Sequence, residues 1–139
     1  MIVVVIIGLL AAAAIPTFIS VSKGSTQTRF INDVRVFKSA IETFYLENGT
    51  LPVDSGTGTL HAQMNGYISP GPFSAASSIG GRWDIEANDS EIALGVGVVG
   101  YTITSSELLE IDTKFDDGNL TTGRLRDIVS GSRFYWVIE

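Results

Sequence analysis

Residues 1–23 read MIVVVIIGLLAAAAIPTFISVSK, with no charged side chain before Lys23 and no polar one before Pro16. A run of 10–14 apolar residues suits a buried helix or the core of a signal peptide, whereas about 20 are needed to cross a bilayer's hydrocarbon layer. Helix from Met1 to Val21 would be roughly 31 Å long, enough for one crossing. A cleaved signal peptide would open with basic residues and end at small ones before its cleavage site. Here the small residues Ala11–Ala14 lead on into Pro16, Thr17, Phe18 and Ile19. That continuation favours an anchor over a leader.

Beyond Lys23 the apolar residues become periodic. Phe30, Val34, Phe37, Ile41 and Phe44 or Tyr45 recur at spacings of three and four, while Arg29, Asp33, Arg35, Lys38, Ser39 and Glu42 fill the positions between them. This spacing marks one face of an α-helix. Asn48-Gly49 offers a left-handed cap and Pro52 blocks continuation. The prediction is one helix of nearly fifty residues, apolar all round in its first half and amphipathic in its second. Gly8 and Pro16 are its weak points, because Pro16 removes a backbone donor and should kink or locally melt the helix.

From Asn48 onward the chain carries five basic and twelve acidic residues, a net charge of −7. Nucleic acid is thereby excluded as a partner, since phosphate binding needs a basic patch. The chain has no cysteine, which rules out disulfides and thiol chemistry.

The stretch IVVVIIGLLAAAAIPTF, residues 2–18, resembles the N-terminal helix of type IV pilins and of the pseudopilins of type II secretion systems, with Gly8 and Pro16 at matching positions. FKSAIETFYLENGTLP, residues 37–52, is similar to the pseudopilin segment where that helix ends. The resemblance covers residues 1–52 in sequence and the remainder in architecture. The family's prepilin peptidase site and its assembly glutamate would fall just upstream of Met1, so the chain is expected to begin in mid-motif. The likeness implies a pilin-like α+β fold: residues 1–22 as the transmembrane and filament-core half of the helix, 23–49 as its amphipathic half, and 50–139 as a globular head.

Within the head, residues 53–81 are rich in glycine and proline and read as loop, with one short helix over 59–65. Residues 82–86 (RWDIE) alternate with period two and predict a strand. Asn88-Asp89 breaks it before a second strand at 91–103, in which Gly95, Gly97 and Gly100 suggest bulges or close backbone contact. Thr104-x-x-Glu107 is a capping-box pattern opening a helix through Phe115. Residues 124–129 and 133–138 flank Ser130-Gly131 as a terminal hairpin, with Phe134, Trp136 and Ile138 on one face. The expected result is a small antiparallel sheet burying that face on the amphipathic half of the long helix.

Enzymatic chemistry finds little support. His61 is the single histidine, it has no neighbouring carboxylate pair, and no serine sits in a G-x-S-x-G elbow. Gly80-Gly81-Arg82 lacks the Lys-Ser/Thr of a phosphate loop and reads as a turn. The acidic run Asp112-Thr113-Lys114-Phe115-Asp116-Asp117-Gly118-Asn119 is the exception. Calcium takes six to eight oxygen ligands, and a glycine turn helps wrap a loop around the ion. The spacing is not that of an EF-hand. The acidic run supplies Asp112, Asp116, Asp117 and Asn119 as candidate ligands, and the pseudopilin resemblance implies a calcium site in a head loop without assigning its residues; a solvated acidic turn is the alternative.

The functional expectation is a structural, non-catalytic filament subunit. It waits in the cytoplasmic (inner) membrane as a single-pass protein, its head in the periplasm or outside, and assembles with copies of itself and other pilin-like subunits. An inner-membrane platform with a separate ATPase and a prepilin peptidase are the partners implied by the family. Val3, Val4, Val5, Ile6, Ile7, Gly8, Leu9, Leu10, Ile15, Pro16 and Phe18 would contact lipid before assembly and neighbouring helices after it. The missing cysteines and short head favour a secretion pseudopilin over an adhesive pilin. The rival class is an anchored extracytoplasmic binding module or enzyme, whose tail any apolar helix could replace.

Overall fold

The computed structural model describes residues 2–88, 92–129 and 131–139. Met1, Asp89 of the expected break, Glu91 of the second expected strand and Ser130 of the expected turn lie outside the described residues.

Helix α1 runs unbroken over Ile2–Asn48. Phe30, Ile31, Val34, Phe37, Ile41 and Phe44 are its buried positions, so the period-3.6 stripe is the face that meets the head. Gly49 takes φ +67° and its N–H bonds the Tyr45 carbonyl at 2.8 Å, a left-handed stop at the predicted place. Pro16 does not melt the helix. It removes one donor from a rod of 47 residues, and the Thr17 hydroxyl bonds the Ala13 carbonyl at 3.4 Å one turn earlier.

Among the described residues the strands β1 (Arg82–Ala87), β2 (Leu94–Val99), β3 (Leu125–Val129) and β4 (Arg133–Val137) form one antiparallel sheet in the order β1-β2-β4-β3. Its inner face carries Trp83, Ile85, Leu94, Val96, Val98 and Phe134, all buried. Against it α1 supplies Phe30, stacked on Trp83 at 5.6 Å and on Phe134 at 5.7 Å, and Phe37, edge-on to Trp83 at 4.9 Å. Such ring pairs add about 0.5–1.5 kcal/mol each beyond the area they bury. Helix α3 (Ser105–Phe115) begins in a complete Thr104/Glu107 capping box and buries Leu108 and Ile111.

Three expectations are corrected. The short helix over 59–65 contracts to one 3-10 turn, Ala62–Met64, with His61 as its cap. A helix α2 (Pro70–Ser74) stands where loop was expected, started by Pro70 and anchored by Phe73 edge-on to Phe37 at 5.5 Å. The second strand ends at Val99, because Gly100 at φ +74° turns the chain out of the sheet.

The outer face of the sheet departs most from the sequence pattern. Asp84 and Glu86 occupy the alternate positions that period two assigns to solvent, yet both are buried. Asp84, Gly97 and Tyr135 lie in one row across β1, β2 and β4. A Cβ on Gly97 would lie 2.6 Å from the Tyr135 Cα and 2.7 Å from its ring. The bare glycine therefore gives the Tyr135 ring its path to Asp84. Arg133 pairs with Glu86 and lies 3.9 Å from Asp84, and residues 54–57 wall the cleft above them.

Candidate functional site

Two regions have surface chemistry that the packed head does not explain. The first is the free half of α1. Every large apolar side chain from Ile2 to Val21, including Val3, Val4, Val5, Ile6, Ile7, Leu9, Leu10, Ile15 and Phe18, is at least 50 % exposed. Gly8 has no atom of another part of the chain near its Cβ position, and the Pro16 ring is exposed. An apolar surface of this extent marks contact with lipid or protein. The helix is long and apolar enough to cross a membrane.

The junction between this half and the head is polar and ordered. Lys23, the first charge in the chain, meets Glu107 at 2.9 Å. Glu107 Oε2 also accepts the Thr104 N–H, and these contacts, the backbone bond foremost, lower its pKa to about 2. Gln27 donates to Glu110 at 3.2 Å, and the Ser78 hydroxyl donates to the Thr26 carbonyl at 3.0 Å. The head thus grips α1 from Lys23 upward.

The second region is the acidic turn after α3. Asp112, Asp116 and Asp117 each offer a carboxylate oxygen, and the three atoms lie within 4.8 Å of one another. Ligands about 2.4 Å from one calcium ion can be at most about 4.8 Å apart, so the spacing fits such an ion. Asp112 is fully buried and neither of its oxygens has a full hydrogen-bond partner. Burial pushes its carboxyl pKa up, the neighbouring Asp116 and Asp117 add to that, and the Asn119 and Gly118 N–H groups oppose it. The cluster also sits at the C-terminal end of α3, where the helix dipole disfavours negative charge. A divalent cation would offset all three penalties.

The rest of the turn is arranged around these carboxylates. Asp116 Oδ2 accepts the N–H groups of Arg124 and Leu125, the latter at 2.8 Å. Asp117 accepts the Asn119 N–H at 2.9 Å and the Thr122 hydroxyl at 2.7 Å, and the latter contact lowers its pKa. Asn119, named as a ligand from sequence, spends its side-chain oxygen on the Thr121 N–H and hydroxyl at 3.1 and 2.8 Å. Gly123 closes the turn at φ +71°, where any Cβ would lie 2.3 Å from Asp116 Oδ2. His61 sits far from this cluster in sequence and accepts the Gln63 N–H at 3.4 Å.

Sequence reasoning missed the Asp84–Tyr135–Arg133–Glu86 network. Its signal was present as two glycines, Gly95 and Gly97, alternating on one face of β2.

The fimbrial protein EcpC of Eikenella corrodens is 32% identical to this chain over 104 residues, which is 74% of the chain and 66% of that relative. The structure of the major type IV pilin PilA1 from Clostridium difficile shares the fold, with a TM-score of 0.55 at 18% identity over 85% of this chain and 96% of that one. The chain is type IV pilin-like. No family model matches it. The long helix laid on a four-stranded antiparallel sheet is therefore a pilin fold, and the pilin-like chain spans about two thirds of the fimbrial relative's length.

Proposed function

We propose that this chain is a structural subunit of a type IV pilus-like filament, held in a membrane by α1 before assembly. The observation that carries the reading is the uncovered apolar half of α1, which the chain's own head leaves bare from Ile2 to Ser22. At roughly 25 cal/mol per Å2, such a surface needs lipid or neighbouring subunits to cover it. Within this class we favour a secretion-type pseudopilin. The chain has no cysteine for a stapled head loop, and its acidic turn has the donor set of a hard-cation site. Asp112, Asp116 and Asp117 would hold calcium, with carbonyl groups of the same turn completing the shell. The ion would neutralise the buried Asp112 and tie the end of α3 to the start of β3. No catalytic role is assigned to the head; a separate ATPase, assembly platform and prepilin peptidase are the partners of this reading.

Electron microscopy of filaments sheared from the producing cells tests it, with the unaltered chain and a Gly8→Leu/Pro16→Leu variant side by side. Filaments that label for the chain, and are lost in the variant, are expected. A chain that stays monomeric in the membrane, and works equally well on an unrelated apolar anchor, would instead be an anchored module. Titration calorimetry with calcium on the whole chain in detergent tests the metal: saturable binding lost in Asp116→Asn is expected.

A further inference from the structure

Three asparagines of the chain open an Asn-x-Ser/Thr triplet: Asn48-Gly49-Thr50, Asn88-Asp89-Ser90 and Asn119-Leu120-Thr121. In a protein displayed outside the cytoplasm this triplet is the acceptor pattern for an asparagine-linked glycan, where it lies on the surface with its side-chain amide available. The pattern is short enough to arise by chance, and the fold is what separates the three. Asn48 is withheld. Its Nδ2 donates to the Phe44 carbonyl at 2.9 Å and to the Tyr67 hydroxyl at 3.3 Å, so both amide hydrogens hold the end of α1 in place. Asn88 is exposed at φ +64°, and Asp89 and Ser90 lie outside the described residues.

Asn119 is exposed and arranged the other way round. Its Oδ1 accepts the Thr121 N–H at 3.1 Å and the Thr121 hydroxyl at 2.8 Å. The backbone donor fixes which side-chain atom is the oxygen. Nδ2 has no hydrogen-bond partner among the described residues. Asp117 holds the same residue from below by accepting the Asn119 N–H at 2.9 Å. The turn thus uses the oxygen of Asn119 and its backbone, and leaves the amide nitrogen to solvent.

We propose that Asn119 is a modification site, the acceptor of an oligosaccharide carried on a membrane lipid through a pyrophosphate bond. Nδ2 attacks the anomeric carbon of the sugar. The carbon–oxygen bond to the pyrophosphate breaks, its electron pair leaving on the lipid carrier, and one amide proton passes to a base of the transferase. An amide nitrogen is a poor nucleophile, because its lone pair is shared with the carbonyl. Two donors on Oδ1 draw charge to that oxygen and favour loss of an Nδ2 proton, which the attack requires. Thr121 is therefore a positioning residue, and a serine there would keep the hydroxyl. The proposal rests on the part of the filament reading that puts the head outside the cytoplasm. It leaves the carboxylates of the acidic turn unaltered.

Trypsin supplies the readout, since Lys114 and Arg124 bound the peptide FDDGNLTTGR, residues 115–124, in which Asn119 is the only asparagine. Mass spectrometry of the chain purified from the envelope of producing cells should find saccharide mass on Asn119 and none on Asn48. Thr121→Ser should keep the modification and Thr121→Val should lose it. Asn119→Asp retains the acceptor oxygen of the turn and removes Nδ2, so it should fold as the parent does and carry no sugar. Protease added to cells stripped of their wall reports separately where the head lies. A bare Asn119 in a head that the protease cuts would overturn the site and spare the filament reading. Sugar on the Thr121 or Thr122 hydroxyl instead, released by mild alkali, would overturn it too. If the head is protected from the protease, its placement outside the cytoplasm fails and the site fails with it.

Discussion

The Tyr135 hydroxyl donates to Asp84 Oδ2 at 2.6 Å, reaching from β4 to β1 over the bare backbone of Gly97. The bond is buried, and its acceptor is a carboxyl whose pKa burial pushes up. A native carboxyl with a raised pKa favours folding most at pH below its unfolded value near 3.9, and that contribution is lost as pH rises through the folded value. Tyr135→Phe removes a donor that favours the charged form. We therefore expect a loss of about 2 kcal/mol at neutral pH, narrowing as pH falls toward about 4. Thermal unfolding of both proteins between pH 4 and 7 measures it; a deficit independent of pH would separate Tyr135 from the ionisation of Asp84.

Gly97→Ala tests the same row from the middle. The new Cβ would lie 2.2 Å from the Phe134 carbonyl oxygen and 2.6 Å from the Tyr135 Cα, and neither backbone atom can move without breaking the β2–β4 ladder. The expected cost is about 3 kcal/mol, at the upper end for overpacking. Gly100→Ala gives the comparison, since nothing lies within 4 Å of its Cβ position and only its φ of +74° resists the change. Urea midpoints should rank Gly97→Ala well below it.

At the acidic turn the sign of one substitution should depend on calcium. Without the ion, Asp112→Asn removes a buried, poorly partnered charge and should stabilise the head by about 1 kcal/mol. With calcium in excess the parent gains binding energy that the variant cannot, and the order should reverse. Melting curves in chelator and in millimolar calcium give both arms. The same order under both conditions would argue for a solvated turn without an ion.

Glu107 ties the head to the first charged residue of α1. Its folded pKa of about 2 lies below the ordinary glutamate value near 4.3, so its contribution is present above that value and is lost as pH falls toward 2. Glu107→Gln should unfold at lower urea than the parent at pH 7, and the two curves should meet near pH 2. Lys23→Met should reproduce part of the same loss, because Lys23 is one of the partners that hold Glu107 ionised.

Much of this fold is legible in local sequence. The α1 stripe, the Gly49 stop and the Thr104/Glu107 box are each set by residues within a few turns of one another, and each forms where the pattern puts it. The outer face of the sheet is not legible in that way. Asp84 and Glu86 alternate like solvent-facing residues, and their burial depends on Tyr135 and Arg133, about fifty residues downstream. Helix α2 escaped notice for a related reason: a five-residue helix has no period to display, and Phe73 is fixed by Phe37 rather than by its neighbours. At the acidic turn the sequence names the carboxylates, but only the fold shows that Asp112 is sealed off while Asn119 is spent on Thr121.

The unbroken helix has one further consequence, which concerns force. A pull on the head passes into α1 through the chain at Gly49 and the packed face from Phe30 to Phe44, and below Lys23 it runs along the helix backbone alone toward Ile2. Every turn on that path shares the load through its full set of i to i−4 hydrogen bonds except the turn ending at Pro16, which is one donor short. That turn yields first under tension. Each residue drawn from helix to extended chain there lengthens the subunit by about 1.8 Å. A single proline thus makes this rod extensible at a fixed point below the head, a full turn or more away from the aromatic packing that holds the head to α1.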